Sequence, residues 1–369
     1  MLYYWVVLAK PYRYLQSDAK EQTGFPSEQP PVSVVVCVRK KCHNFNRFLS
    51  ALLEQDYPEF EVIIVSDGIS DSNKEILASF QNEYKNLYTT YIPEDTRNVS
   101  RKKLGLTLGI KAAKYDYLLF TEADGYVRTN QWISAMTRHF DGKKSIVLGF
   151  SAIVNSPKHF LSRYIAFDYF FSNLQMLASA LFKRPYAGDG RSLAYEKRHF
   201  TEQKGFVRHR VLKRGEDDLF INDIATRKNT AVELSAESVV FTEFGRFEDW
   251  KRMKSDRAIT QSYYKRGSLT LQRLEFFSRL VFLICTVACF FVPYSYPFVI
   301  LPGIAALLYI IRFLSELYVT SVTTAELQLK TFYFLLPVFD LIQIYMNLYF
   351  YLYRIFNKKE NYTYLYENK

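Results

Sequence analysis

An α/β fold built on a mostly parallel sheet flanked by helices, and followed by membrane helices, is predicted by three features of this 369-residue chain. Strand and helix patterns alternate from Val32 to Phe150. The β-branched run Val32-Ser33-Val34-Val35-Val36-Cys37-Val38 has the composition of a strand buried on both faces, and the C-terminal segment is dominated by nearly uncharged apolar runs.

A polar lead-in, residues 1–30, ends at Pro30-Pro31. Its apolar run Leu2 to Ala9 is too short for the ~20 residues a bilayer crossing needs and is expected to be an interfacial anchor. After the first strand, Phe45, Phe48, Leu49, Leu52 and Leu53 form one stripe of a helix from Phe45 to Glu54, which Asp56-Tyr57-Pro58 stops. A strand from Glu61 to Val65 ends at Ser66-Asp67-Gly68. The order repeats with a helix near Asn73 to Asn82, a strand near Leu87 to Ile92, a helix near Ser100 to Lys114 and a strand ending at Phe120. A helix near Trp132 to Phe140 and a strand from Ser145 to Phe150 follow, and Phe160 to Phe182 is a long aromatic helical stretch expected along a membrane surface.

Leu280 to Val292 and Phe298 to Ile311 read as a helical hairpin joined by Pro293-Tyr294-Ser295-Tyr296-Pro297. Thr331 to Tyr353 carries Asp340, Gln343 and Asn347, which favours a helix in the interface over a third crossing. The division is therefore residues 1–30, a soluble domain over 31–270, and a membrane domain over 271–369. The tail residues Arg354, Lys358 and Lys359 place the C-terminus and the basic soluble domain in the cytoplasm, against the cell's inner membrane, with a multi-pass anchor.

Lys and Arg total 48 against 37 Asp and Glu, a formal charge of +11 that favours anionic partners such as nucleotides and membrane lipids. Nucleic acid is not expected, because there is no zinc-finger spacing, recognition-helix pattern or RNP-like strand. Cys37, Cys42, Cys285 and Cys289 give no disulfide framework, and the five His show no metal-ligand spacing.

Glu122-Ala123-Asp124 directly follows the apolar run Tyr117-Leu118-Leu119-Phe120, so two carboxylates stand at the C-terminal end of a buried strand, where open α/β sheets bind ligands. Acids so spaced suit a divalent cation shared with a phosphate. Asp67 ends another strand, where it can accept hydrogen bonds from a base edge, although Asp-Gly is also a common turn pair. Gly215-Glu216-Asp217-Asp218 opens a helix-like run, and three acids exceed what capping needs. Arg97, Arg101, Lys102 and Lys103 crowd a helix start, where an anion or a solvated face accounts for them equally.

In order along the chain, VSVVVCV from Val32, SDGISD from Ser66, EAD at Glu122, GEDDLF from Gly215 and the stretch Lys254-Ser255-Asp256-Arg257 resemble the motifs of membrane-bound glycosyltransferases of family 2. The resemblance runs from Val32 to Arg257 and implies a GT-A-type, Rossmann-like nucleotide-binding domain over 31–270. It implies an inverting, metal-dependent transfer from a nucleotide sugar to a lipid-linked or membrane-proximal glycan acceptor. By it, Asp124 and Glu122 hold Mg or Mn, Val38, Asp67, Lys103 and Glu122 serve the nucleotide, and Asp217, with Asp218 as alternate, is the base. Arg191, Glu216, Lys254 and Arg257 are implied at the acceptor or phosphates. Two departures, Lys40-Lys41 after the first strand and the loss of Gln and Trp from the family's QxxRW segment, motivate an alternative: an inactive, membrane-tethered binding or assembly subunit.

Overall fold

The computed structural model of the chain describes residues 1–21, 25, 28–39, 42, 44–93, 100–153, 159–243, 246–291 and 300–357. Lys40, Lys41, Arg97, the 293–297 turn, Lys358 and Lys359 lie outside them. A π-helical turn at Tyr4–Leu8 leads into α1 (Lys10–Glu21). The sheet then builds through β1 (Val32–Arg39), α2 (Phe45–Leu53), β2 (Phe60–Asp67), α3 (Asp71–Glu83), β3 (Leu87–Tyr91), α4 (Arg101–Ala112) and β4 (Tyr117–Phe120). Ser70 and Ser100 cap α3 and α4, accepting from the amides of Asn73 and Lys103.

Next come β5 (Gly125–Val127), α5 (Trp132–Thr137), β6 (Ile146–Leu148), β7 (Ser151–Ile153), α6 (Phe160–Leu181), β8 (Leu193–Glu196) and α7 (Lys197–Glu202). They are followed by α8 (Asp218–Ile224), β9 (Thr230–Val232), β10 (Val240–Thr242) and α9 (Phe247–Thr260). The seven-stranded sheet has the order β3-β2-β1-β4-β8-β6-β9, with β1 to β4 parallel and β8 antiparallel to both neighbours. A smaller sheet, β5-β10-β7, stands beside it. Alternation along β1 sends Val35 into the core under α4 and α6, and Val34, Val36 and Val38 into the core under α2 and α5.

Several expectations change. The helix from Trp132 ends at Thr137 instead of Phe140, and the strand expected over Ser145 to Phe150 pairs only at Ile146–Leu148. Far from lying on a surface, α6 buries thirteen of its residues, including Asp168 and Asn173, as the central helix of the larger core. The N-terminal run is divided: Tyr4, Val7, Leu8 and Ala9 are buried in that same core, while Leu2, Trp5 and Val6 are exposed.

The C-terminal helices are α10 (Thr270–Cys289), α11 (Leu301–Glu326) and α12 (Leu336–Phe356), so the first starts ten residues before Leu280 and the second runs well past Ile311. Among the described residues, only α11 is long and apolar enough to cross a membrane. Asp340 and Gln343 do not face lipid or headgroups. Asp340 lies 2.9 Å from Arg279 and 2.7 Å from Arg312, and Gln343 accepts from Arg279 at 2.8 Å, so pairing removes the cost that favoured an interfacial helix.

Gly125 opens β5 of the smaller sheet immediately after Asp124 and lies tight against β10. A Cβ there would overlap the Phe241 carbonyl oxygen on β10. We predict that Gly125→Ala lowers stability by about 1–3 kcal/mol, the usual cost of overpacking, when measured by denaturant unfolding. A stability equal to the parent's would show that β5 can move away freely.

Candidate active site

Strands β1, β2 and β4 run parallel and finish at one edge of the sheet, which places Glu122 and Asp124 at that edge. Arg191, from the loop entering β8, reaches them from one side. Its Nη2 lies 2.7 Å from Asp124 Oδ2 and 3.0 Å from Glu122 Oε2, while its Nε donates to Thr242 Oγ1 at 3.2 Å. Lys102 on α4 reaches in from the other side, its Nζ bonded to Glu122 Oε1 and 2.8 Å from Glu216 Oε1. Charges therefore alternate along Glu216, Lys102, Glu122, Arg191 and Asp124.

Gly215, at φ +101°, makes the left-handed turn into the acid run, where a Cβ would overlap Leu219. The two aspartates that follow differ in their partners. Among the described residues Asp217 accepts from backbone amides alone, Gly190 N at 3.1 Å and Asp218 N at 2.8 Å, and it faces the cavity. Asp218 accepts from Leu219 N at 2.7 Å, Tyr264 OH at 2.9 Å and Thr260 Oγ1, which turns it into a fixed support. Behind them, Asp189 receives Tyr169 OH at 2.7 Å and Ser151 Oγ at 3.0 Å, with Arg257 3.9 Å away.

These groups line a cavity of about 680 Å³, where eight carboxylates meet six Lys or Arg side chains among the described residues. The excess of acids makes the cavity locally acidic in a chain of charge +11. Burial would raise the Glu122 carboxyl, but Arg191 and Lys102 outweigh it and hold it well below the usual range. Burial likewise opposes ionisation of Glu216, and Lys102 and Arg214 bring it down to about 2. Asp124 goes the other way, raised by burial and by Glu122 against the pull of Arg191. Asp217 is pushed up to about 6, first by burial and then by Asp218 and Glu216.

Of the residues expected from sequence, Glu122, Asp124, Arg191, Glu216, Asp217, Asp218 and Arg257 share this cavity, and Val38, Asp67, Lys103 and Lys254 do not line it. Val38 is fully buried in β1, opposite Ser66. Asp67 turns its carboxylate to guanidinium groups, Arg101 Nε at 2.5 Å and Arg39 Nε at 3.7 Å, so a base edge would have to compete with both. Lys103 is corrected to a structural role: its Nζ donates to the carbonyls of His209 at 2.6 Å and Leu212 at 2.8 Å. Lys254 is likewise engaged elsewhere, its Nζ 3.0 Å from buried Asp168 and outside the cavity lining.

Asp189, Arg214 and Asp256 were missed as site residues, and Lys102 was named only within the basic group at a helix start, without being told apart from Lys103. A signal for Lys102 exists in the sequence, because Gly105 and Gly109 stand three and seven positions on, and both close tightly on β1. That face carries Lys102 towards the strand ends, whereas Lys103 is turned by 100°. Arg214 and Asp256 pair at 3.0 Å across a distance in sequence that no local pattern spans.

A divalent cation does not fit Glu122, whose two oxygens already hold Lys102 and Arg191. Among the described residues no group of three or more His, Cys, Asp or Glu is placed to hold a metal. Asp124 does fit as a single carboxylate ligand beside the cavity, the arrangement used when most remaining ligands are substrate phosphates and water.

The family model described as Glycosyl transferase family 2 matches residues 33–214. A poly-beta-1,6-N-acetyl-D-glucosamine synthase of Staphylococcus epidermidis is 28% identical over 127 residues, covering 33% of this chain and 28% of that protein. A poly(ribitol-phosphate) beta-glucosyltransferase of Bacillus spizizenii is 27% identical over 120 residues, 32% of this chain and 18% of that protein. The matched segments thus span under a third of these relatives. Among solved structures, a mannosyltransferase of Pyrobaculum calidifontis in complex with GDP-Man and Mn2+ aligns with 100% of this chain and 97% of its own. Its TM-score of 0.53 at 16% identity is a likeness of fold.

The raised Asp217 carboxyl has a consequence for stability. A carboxyl whose folded value lies above its unfolded value stabilises the fold fully below the unfolded value, and that contribution is lost as pH climbs through the folded one. Stability from this group should fall between the ordinary value of 3.8 and about 6. We expect denaturant unfolding to show a shallower decline over that window in Asp217→Asn, and superimposable pH profiles would contradict the raised carboxyl.

Proposed function

Because the chain belongs to glycosyl transferase family 2 through residues 33–214, we propose that it is an inverting enzyme moving a sugar from a nucleotide sugar to a hydroxyl of a lipid-linked or membrane-proximal glycan. The observation that carries this reading is the contrast between Asp217 and Asp218 at the cavity wall. Among the described residues Asp217 is held by backbone amides and is raised to about 6, the state of a carboxylate able to take a proton near neutral pH, while Asp218 is committed to Thr260 and Tyr264.

In this mechanism the acceptor hydroxyl gives its proton to Asp217 as its oxygen bonds to the sugar carbon. The bond from that carbon to the diphosphate breaks in the same displacement, and the leaving oxygen keeps the electron pair. Arg257 and Asp189 brace the loop that carries Gly190, whose amide orients Asp217. Lys102 and Arg191 keep Glu122 ionised and in place, so its role is to set Arg191 beside Asp124. Mg or Mn, held by Asp124 together with donor oxygens, neutralises charge on the diphosphate when bound.

Residues 31–270 form the catalytic domain in this reading, and 271–369 its membrane domain. Supporting it, α10 to α12 expose Phe277, Ile284, Leu307, Ile311, Leu341 and Leu352 while burying Arg279, Arg312, Glu316 and Asp340. Apolar outside and charged inside suits lipid as the solvent. The basic residues Arg354, Lys358 and Lys359, in the last turn of α12 and close after it in sequence, support a C-terminus, and with it a catalytic domain, on the cytoplasmic side of the inner membrane.

Membranes carrying the full chain, incubated with UDP- and GDP-linked sugars, should release nucleoside diphosphate in a Mg- or Mn-dependent manner. Asp217→Asn should lower turnover by about 10²–10⁴ while preserving nucleotide binding. Asp124→Asn should remove the metal dependence and weaken nucleotide binding. Unchanged turnover in Asp217→Asn would dismiss it as the base. Tight UDP or GDP binding without release from any donor would favour an inactive binding subunit instead.

A further inference from the structure

We infer that Asp168 is a positioning residue that couples the α10–α12 bundle to the wall of the reaction cavity carried by α9. The inference rests on that cavity being the site of the proposed transfer. Asp168 lies in the middle of α6 with no exposed surface, where a carboxylate persists only with partners. It has three, from two other helices. Its Oδ2 receives Trp250 Nε1 at 3.0 Å, and its Oδ1 receives Lys254 Nζ at 3.0 Å and Gln343 Nε2 at 3.4 Å.

On the bundle side, Gln343 of α12 accepts from Arg279 Nη1 at 2.8 Å. Arg279 of α10 lies 2.9 Å from Asp340 and bonds Glu275 at 2.7 Å, and Asp340 holds Arg312 of α11 at 2.7 Å. All three bundle helices are thereby joined to one buried network. On the cavity side, Trp250 and Lys254 lie one turn apart on the face of α9 turned to Asp168. Met253, Asp256, Arg257 and Thr260 line the cavity.

Those cavity groups are the ones that hold the catalytic loop: Thr260 donates to Asp218, Asp256 holds Arg214 at 3.0 Å, and Arg257 lies 3.9 Å from Asp189. A displacement of the bundle reaches them through α9, which is held at Asp168 and also packs on α12, where Trp250 meets Phe350 edge-on at 5.7 Å. Such a network of paired charges has discrete arrangements in place of a continuous give. The state of the C-terminal helices therefore sets the alignment of Asp217's surroundings first, while the Asp124 side lies further along the contacts, through Arg257, Asp189 and Arg191, and is also held by Thr242.

The test uses the full chain in detergent micelles with Gln343→Leu and Asp168→Asn, neither of which touches the cavity. Hydrogen exchange of amides 250–260 should rise about three- to thirtyfold, the range that coupling through packed networks commands. Binding of UDP or GDP, whichever the parent binds, should stay within twofold, and kcat should fall with KM for the nucleotide sugar nearly unchanged. Asp168→Asn combined with Lys254→Met, which removes both buried charges, should return the exchange of α9 towards the parent. Unchanged exchange in α9, or an equal rise in every helix, overturns the inference, and if Asp168→Asn does not fold, Gln343→Leu alone decides. Because exchange is read without turnover, absence of sugar transfer would defeat the proposed reaction and leave the coupling through Asp168 intact.

Discussion

Lys102 and Arg191, inserted between three carboxylates, are what allow the cavity to exist. Glu216, Glu122 and Asp124 converge from the acid run before α8 and the turn after β4; Glu216 is buried, Glu122 half-buried and Asp124 open to the cavity. Without cations between them, buried acids at such separations would protonate or push the loops apart. Removing one partner from a buried pair typically costs about 3–5 kcal/mol, because the other charge is left uncompensated. The fold and the chemistry thus share a support: the same two cations that keep Glu122 ionised fix the loops that carry Asp124 and Asp217.

This arrangement explains which parts of the molecule were legible in sequence. The parallel strands β1 to β4 announce themselves because burial on both faces demands continuous β-branched or apolar runs, as in Val32 to Val38. Strands β5, β7, β9 and β10 have three residues each, too few for any alternation to register, and their pairing is set by tertiary contact. The acids of the cavity were visible because carboxylates at strand and helix ends are conspicuous. Their cations were not, since choosing Lys102 over Lys103 needs the rotation of α4 relative to β1.

The same lesson holds at the C-terminal helices with the sign reversed. Asp340 and Gln343 in an apolar segment look like a reason to keep that segment out of lipid. Arg279 and Arg312, on helices 61 and 28 positions earlier, neutralise that reason. Sequence patterns report the cost of each polar group singly, whereas the folded chain decides by pairs. Lys254 shows the converse: it stands in a segment resembling an acceptor motif, yet its charge is consumed by Asp168 on α6.

The Glu at position 122 can be understood on these terms. An Asp at that place would have one methylene fewer, yet here the side chain spans Lys102 on one oxygen and Arg191 on the other. The longer arm suits a bridge between two protein cations better than a ligand that must share one ion with Asp124. In the proposed reaction the two acids of the motif would separate in function: Glu122 is neutralised by the protein's own cations, and Asp124 is the carboxylate left to meet an arriving cation. Arg191 sits between the two, so a cation on Asp124 must share that carboxylate with a guanidinium 2.7 Å away. Like charges so close repel unless an anion lies against both. A diphosphate is such an anion, so in the proposed reaction metal and donor would have to bind together.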